Sequence, residues 1–234
     1  HQGRYDQPTH QIPYLGDQLT PPIENVGSTG SPSIESMARL QPDLILAERL
    51  DAAKYSSFSR IAPTLPVEIG RTEENLVSVA QAVNLTEESE QILAETEQKI
   101  ASAREPFGPF VAENPKLLLL SGFSLQDMYL GGSDHGTCNT VLQSLGFQLV
   151  TPPEFDDSNT EVRAPISIET LPQLNEADLV VMLGADFNPP KQGDIQQFEE
   201  NQLSGIQQEW EENAIAQSLE ASKAEQVYFI PAYL

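Results

Sequence analysis

Four basic side chains of this chain stand in loops where they could hold a negatively charged small molecule. Arg49 and Arg71 each follow a short apolar run, and Arg163 and Lys191 lie in two later loops. A guanidinium group binds oxygen anions through a planar fork of donors. Since the 234 residues include only 12 Lys+Arg, four of them in such loops are candidates for contact with an anionic ligand. A surface salt bridge is the alternative role for each.

Two glutamates occupy the same place in two similar segments. GSPSIESMARLQPDLIL (30–46) and APISIETLPQLNEADLVVML (164–183) each set Ser-Ile-Glu, with Glu35 or Glu169, before an amphipathic stretch and an apolar run. Ser31 can cap the first helix, with Pro32 as its first residue, and Ser167 can cap the second. The helix dipole favours a carboxylate in the first turn, so capping is the structural alternative to a functional role.

Short apolar runs alternate with amphipathic stretches along the chain. The predicted strands are Ile23–Val26, Leu44–Ala47, Pro66–Ile69, Leu117–Ser121, Gln148–Thr151, Leu179–Leu183 and Val227–Ile230. Helical spacing predicts helices between them, including one long helix over Thr86–Arg104 that ends before Pro106. This alternation predicts an α/β protein with parallel sheets covered on both faces.

Charge and motifs exclude several classes of function. With 35 Asp+Glu and a formal net charge of -23, the surface repels nucleic acid and anionic membranes. Of the three histidines, His1 and His10 lie near the start and His135 stands alone, so no clustered metal ligands are expected. Ser133, Asp134 and His135 are adjacent and cannot form a catalytic relay. Without G-x-S-x-G, P-loop or G-x-G-x-x-G motifs, we expect no enzyme.

Three motifs in the first half resemble one family of proteins. They are Gly27 with Pro32 and Glu35, the run Leu40–Ile45 (LQPDLI), and the run Ile61–Thr64 (IAPT). In the second half, GTCNTVLQSLGFQLV and ISIETLPQLNEADLVVML follow in matching order. Together they are similar to the periplasmic substrate-binding proteins for ferric siderophores, haem and cobalamin. The resemblance covers nearly the whole chain.

The resemblance implies a fold of two Rossmann-like α/β lobes joined by a long rigid helix, with the ligand in a cleft between them. The expected divisions are an N-terminal lobe over 1–85, the connecting helix over 86–105 and a C-terminal lobe over 106–234. Both termini are expected to be truncated. The resemblance also implies that Glu35 and Glu169 dock onto arginines of the two permease subunits of an ABC transporter.

The resemblance places the ligand against the cleft loops. The predicted ligand-binding residues are Thr29, Arg49, Arg71, Tyr129, His135, Arg163, Phe187 and Lys191. Siderophore binders often carry Arg between the Gly and Pro of the first motif, where this chain has Thr29. The missing charge and the acidic surface favour a ferric hydroxamate or citrate-hydroxamate over a highly anionic catecholate. Haem or cobalamin on the same fold is an alternative, with His135 or Tyr129 as the axial ligand of haem.

The remaining expectations follow from the same resemblance. The protein carries no covalently bound cofactor, has a ferric siderophore as its ligand and is a monomer. It lies in the periplasm or otherwise outside the cytoplasmic membrane, with a lipid anchor on an upstream Cys as one form. A hydrolytic enzyme and an inert scaffold or sensor that no longer transports are the alternatives from other classes.

Overall fold

The structure is a computed structural model that describes residues 24–28, 31–48, 50–68, 70–131, 136–153, 155, 164–184 and 195–232. The chain divides into two compact units, His1–Gln91 and Ile92–Leu234. Within the described ranges, no helix has both the length and the apolar character needed to cross a membrane.

The first unit is built on a pair of parallel strands. Its elements are β1 (Gly27–Ser28), β2 (Ser31–Pro32), α1 (Ile34–Leu40), β3 (Ile45–Glu48), α2 (Ala52–Phe58), β4 (Thr64–Val67) and α3 (Thr72–Ala82). β1 and β2 pair antiparallel, whereas β3 pairs with β4 in parallel with Ile45 opposite Thr64. Met37, Ile45, Phe58 and Ala62 form a small buried core that holds α1 and α2 against β3.

The predicted strand Ile23–Val26 is wrong for its described part, because residues 24–26 form no regular structure. The Asn25 side chain accepts a hydrogen bond from the Gly27 amide at 2.7 Å, which turns the backbone here. Gly27 has φ of 102°, and a Cβ there would lie 2.7 Å from the Ser31 carbonyl oxygen. Glycine is therefore needed where the β1–β2 hairpin begins.

The long helix α4 spans Thr86–Glu113 and so continues past the end predicted before Pro106. Pro106 and Pro109 each lack an N–H and remove one helical hydrogen bond. The end of α4 is held by packing instead, since Phe110 and Val111 join a core of the second unit. Arg104 Nε also donates to the Ser144 carbonyl oxygen at 2.6 Å.

The second unit contains a larger, mixed sheet. Its elements are β5 (Lys116–Ser124), β6 (Asp127–Leu130), α5 (Gly136–Leu145), β7 (Gln148–Leu149), β8 (Ala164–Ile166), the 3₁₀ helix Ile168–Leu174, β9 (Leu179–Gly184), α6 (Ile195–Glu212), α7 (Ala214–Ser218), α8 (Glu220–Lys223) and β10 (Val227–Pro231). The strand order is β10-β9-β5-β6-β8, and β7 pairs with the start of β5.

Parallel pairing is confirmed for β5, β7, β9 and β10. The sequence did not predict β6 and β8, and their pairings are antiparallel. β6 pairs antiparallel with both β5 and β8. Only Leu125 and Gln126 separate β5 from β6, and so short a turn requires an antiparallel pair. β8 contains Pro165, which breaks a strand pattern in the sequence and is tolerated at the edge of a sheet.

Both faces of this sheet are covered, as predicted. Side chains alternate between the faces along each strand, so neighbours in sequence enter different cores. On one face Leu118, Leu120, Val180 and Met182 pack with Trp210 of α6 and with Leu171 and Leu174 of the 3₁₀ helix. On the other face Leu117, Leu119, Leu179 and Val181 pack with Val111 of α4 and Phe147.

Candidate functional site

The first of the paired glutamates, Glu35, lies exposed in the first turn of α1. The predicted cap is wrong: Ser31 and Pro32 form β2, and Ser33 caps the helix. Ser33 Oγ accepts a hydrogen bond from the Ser36 amide at 3.2 Å. Because Ser31 pairs with Ser28 in the β1–β2 hairpin, Ser31 and Pro32 stay extended. The helix therefore begins later in the chain than predicted.

The second glutamate, Glu169, is also exposed in a first turn, but its helix is of the 3₁₀ type. Ser167 occupies the predicted cap position, yet its side chain makes no cap hydrogen bond. Its hydroxyl donates instead to Glu169 Oε2 at 2.6 Å. Sequence reasoning missed this contact because a serine two residues before a glutamate at a helix start is also the signature of a cap.

Two hydrogen bonds lower the pKa of the Glu169 carboxyl below its ordinary value. The larger effect comes from the Ser167 hydroxyl, and the smaller from the backbone amide of Glu169 itself. Both donors stabilise the ionised form, whereas partial desolvation opposes them weakly. Glu169 is therefore a carboxylate at neutral pH with one of its oxygens already bound.

Buried side chains hold both glutamates in place through their helices. In α1, Met37 is 7% exposed and packs in the core of the first unit. In the 3₁₀ helix, Leu171 is fully buried and Leu174 is 2% exposed, both in the larger core. Asn175 Oδ1, directly after this helix, also accepts a hydrogen bond from the Glu220 amide at 2.8 Å.

Most of the predicted ligand-binding residues lie outside the described residues. These are Thr29, Arg49, His135, Arg163, Phe187 and Lys191. The structure describes only Arg71 and Tyr129 of the eight, so the predicted pocket stays a prediction.

Arg71 is an exposed residue at the start of α3. Its Nε lies 2.7 Å from Glu68 Oε2, and the side chains are 57% and 68% exposed, respectively. An exposed pair of this kind contributes about 0–1 kcal/mol, so exchanging Glu68 for the oxygen of a ligand costs little. The surface salt bridge, which was the alternative for Arg71, is thus compatible with ligand binding.

Tyr129 lies in β6, opposite Ser121 of β5 and Pro165 of β8. It is half-buried, and its neighbours Met128 and Leu130 are buried in the core that contains Trp210. Alternation places Tyr129 on the opposite face of the sheet.

The β5–β6 turn next to Tyr129 is tied to α6. Glu209 Oε2 accepts the Leu125 amide at 2.7 Å across 84 positions of sequence. The sequence carries no signal for this contact, since Glu209 is one of many acids on an amphipathic helix. α6 therefore positions the hairpin that carries a predicted ligand residue.

Within the described residues, no group of three or more His, Cys, Asp and Glu side chains could hold a metal ion. His1, His10 and His135 lie outside those residues.

Comparison with known sequences identifies a family. The model of a family described as periplasmic binding protein matches residues 6–234. The Bacillus subtilis protein named probable siderophore-binding lipoprotein YfiY is 30% identical over 139 residues, which are 58% of this chain and 41% of the relative. The Bacillus subtilis iron(3+)-hydroxamate-binding protein FhuD is 27% identical over 155 residues, 64% of this chain and 48% of that protein. The matched part spans less than half the length of these relatives.

Solved structures share the fold. Staphylococcus aureus SirA, in complex with staphyloferrin B, superposes with a TM-score of 0.69 at 23% identity over 92% of this chain and 71% of SirA. Bacillus subtilis FeuA, in complex with ferri-bacillibactin, gives 0.66 at 23% identity over 87% of this chain and 68% of FeuA. The predicted α/β class with two lobes and a long helix is thereby confirmed. Because the family model matches almost every residue, the chain belongs to the periplasmic binding protein family.

Proposed function

We propose that this chain is the substrate-binding component of an ABC importer, which captures a ferric siderophore and delivers it to a membrane permease. Membership of a family of binding proteins supports capture and release, with no bond made or broken. The relatives YfiY and FhuD are named for binding a siderophore and an iron(3+)-hydroxamate. This favours a binding protein over the enzyme alternative.

The observation that carries the proposal is the matched pair of exposed glutamates, one in each compact unit. Glu35 and Glu169 both lie in a first turn, two positions before a buried anchor, Met37 or Leu171. A carboxylate on a packed helix presents its oxygens to the planar fork of an arginine. One such group in each unit is what docking onto two permease subunits requires.

The chain's own residues support a weakly anionic cargo, a ferric hydroxamate or citrate-hydroxamate. Between Gly27 and Pro32 the sequence is Ser-Thr-Gly-Ser, without an arginine at that point, and the net charge is -23. A highly anionic chelate would meet repulsion with little compensation. Relatives span the classes: one is named an Fe(3+)-citrate-binding protein, and FeuA is described as a triscatecholate siderophore binding protein.

The family and the naming of YfiY as a lipoprotein support a location outside the cytoplasmic membrane. We further propose that the protein is a monomer and meets the permease at the outer side of the cytoplasmic membrane. A lipid-anchored form is included in this proposal.

Titration of the protein with two ferric siderophores, haemin and cobalamin tests the cargo. The fluorescence of Trp210, 2% exposed in the core of the second unit, is followed on adding ferrioxamine B, ferri-bacillibactin, haemin or cobalamin. Free tryptophan corrects for light absorbed by the ligands. We expect saturable quenching by ferrioxamine B with Kd below about 1 μM, near -8 kcal/mol. Tighter binding of ferri-bacillibactin would overturn the cargo class, and binding of none of the four would overturn the ferrioxamine-type hydroxamate, catecholate, haem and cobalamin cargoes together.

Two arginines of the first unit provide a matched pair of variants for the same titration. Arg71 pairs with Glu68 at 2.7 Å, and Arg39 pairs with Glu24 at 2.9 Å, both as exposed ion pairs. Arg71→Ala should raise Kd about tenfold, because a charge-assisted hydrogen bond to the ligand is lost. Arg39→Ala removes the same charge at a position not predicted to touch ligand and should leave Kd unchanged. An equal rise in Kd for both variants would mean that Arg71 acts only through the net charge of the protein and does not contact the ligand.

A further inference from the structure

We infer that Ser167 is a positioning residue for permease docking: its hydroxyl holds the Glu169 carboxylate in one orientation before the permease arrives. The inference rests on the proposed function, because it concerns how a docking glutamate is presented. It makes the two glutamates unequal, although their sequence contexts match.

The backbone geometry accounts for this use of the hydroxyl. Ser167 is extended, with φ of -92° and ψ of 154°, and the Thr170 amide donates to its carbonyl oxygen at 3.0 Å. The carbonyl of Ser167 thus starts the 3₁₀ helix without help from its side chain. The Ser167 hydroxyl is left to donate to Glu169 Oε2, at 2.6 Å.

The 3₁₀ helix next to Ser167, which carries Glu169, is packed tightly within the second unit. Leu171 and Leu174 anchor the 3₁₀ helix in the larger core of the second unit, and α7 packs against the same helix. The ring of Pro172 further restricts the backbone. Fixing the carboxylate relative to such a helix fixes it relative to the whole unit.

The first unit uses its equivalent serine differently. Ser33 Oγ accepts the Ser36 amide at 3.2 Å and donates to Ser36 Oγ at 3.0 Å, so it serves as a cap. Among the described residues, no hydrogen bond or ion pair reaches the Glu35 carboxylate. Glu35 therefore loses more side-chain freedom on docking than Glu169 does.

A bound hydroxyl does not prevent docking. An ionised carboxylate has about four acceptor sites, and two of them are used, one on Oε2 by the Ser167 hydroxyl and one by the backbone amide of Glu169. The two remaining acceptor sites stay open to the N–H groups of an arginine. The serine therefore orients the acceptor without occupying it.

The first test measures the pKa of Glu169 itself. The protein is labelled with ¹³C at glutamate side-chain carboxyls, and Glu35 and Glu169 are followed by NMR as the pH is lowered. Ser167→Ala should raise the pKa of Glu169 toward its ordinary value, while Ser167→Thr, which keeps the hydroxyl, should restore it. Ser33→Ala is the matched control and should leave the pKa of Glu169 unchanged. An unchanged pKa in Ser167→Ala would overturn the inference, because the hydroxyl would not be holding the carboxylate.

The second test measures docking. Affinity for the iron-siderophore permease of the source organism, reconstituted in lipid nanodiscs, is measured for the same variants and for Glu169→Gln. Ser167→Ala should weaken binding about three- to tenfold, through the added cost of immobilising Glu169. Ser167→Thr should bind like the parent protein.

The two failures are distinguishable. If Glu169→Gln weakens binding but Ser167→Ala leaves it unchanged or tighter, the inference is wrong and the docking role of Glu169 remains. If Glu169→Gln also binds like the parent protein, the docking assignment itself is wrong, and the positioning role falls with it.

Discussion

The same three residues, Ser-Ile-Glu, begin two different helices in the two units of this protein. In the first unit they lead into an α-helix, where the Met37 amide donates to the Ser33 carbonyl oxygen four residues back. In the second they lead into a 3₁₀ helix, where the Thr170 amide donates to Ser167 three residues back. The glutamates keep their exposure, but the serines change their role.

A single position explains much of the difference. Counted from the serine, Ala38 in α1 corresponds to Pro172 in the 3₁₀ helix. The Ala38 amide can donate to the carbonyl of Ile34, as α-helical geometry requires, whereas Pro172 has no N–H to offer Ile168. The lesson is that a motif can be repeated in sequence while one proline downstream alters the hydrogen bonds of its first turn.

Reversing the charge of either glutamate should have the largest effect, and it tests whether the two units contribute equally to uptake. If Glu35 and Glu169 dock onto permease arginines as proposed, Glu35→Arg and Glu169→Arg should each lower siderophore uptake at least tenfold, since the new charge would repel those arginines. The Kd for the ferric chelate should not change, and that measurement is the control for folding. Uptake that survives either reversal would remove that glutamate from the docking surface.

Core truncation should separate the two anchors. Leu171→Ala should lower the free energy of unfolding by about 4 kcal/mol, and Met37→Ala by about 2 kcal/mol, because Leu171 is fully buried in the larger core. Trp210 lies in that same core, so its fluorescence during urea denaturation should report the first loss. Circular dichroism should report the loss of stability caused by Met37→Ala. A shift of the Trp210 transition by Met37→Ala would show that the units unfold together.

Exchange of the proline and alanine tests the cause of the difference. Ala38→Pro should destabilise α1 by about 3 kcal/mol, through a lost hydrogen bond and a steric clash. Pro172→Ala should cost only about 0.4–1 kcal/mol, mainly because the unfolded chain gains freedom. Thermal denaturation followed by circular dichroism measures both. Similar losses for the two variants would mean that Pro172 is not what selects the 3₁₀ helix.

The smallest expected effect is the pH dependence contributed by Glu169. Its pKa is lowered in the folded protein, so its contribution to stability is present above its ordinary pKa. That contribution is lost as the pH falls through the lowered value, where the folded protein also takes up the proton. Glu169→Gln should therefore be slightly less stable than the parent at pH 7, with the difference vanishing at pH 2. A difference that persists in acid would point to a change in packing.

The sequence alone was sufficient to predict the α/β class of the fold and the approximate positions of many helices and strands. Aliphatic runs such as Leu117–Ser121 and Leu179–Leu183 are long enough and apolar enough to be buried strands, and they proved to be parallel neighbours. The repeated Ser-Ile-Glu pointed to Glu35 and Glu169, and both are exposed in first turns. The eight ligand positions remain predictions, since pocket shape depends on loops that sequence periods do not describe.

Other features were decided by contacts between residues far apart in sequence. α4 runs through Pro106 and Pro109 because packing of Phe110 and Val111 outweighs the lost hydrogen bonds. Glu209 reaches the β5–β6 turn only because the fold brings α6 beside it. Local sequence thus determined which residue types stand at each helix start. The folded structure decided whether a serine there caps its helix, as Ser33 does by accepting the Ser36 amide, or donates to a carboxylate, as Ser167 does to Glu169. A hydroxyl can both accept and donate, so its role depends on which partner the folded backbone brings within reach.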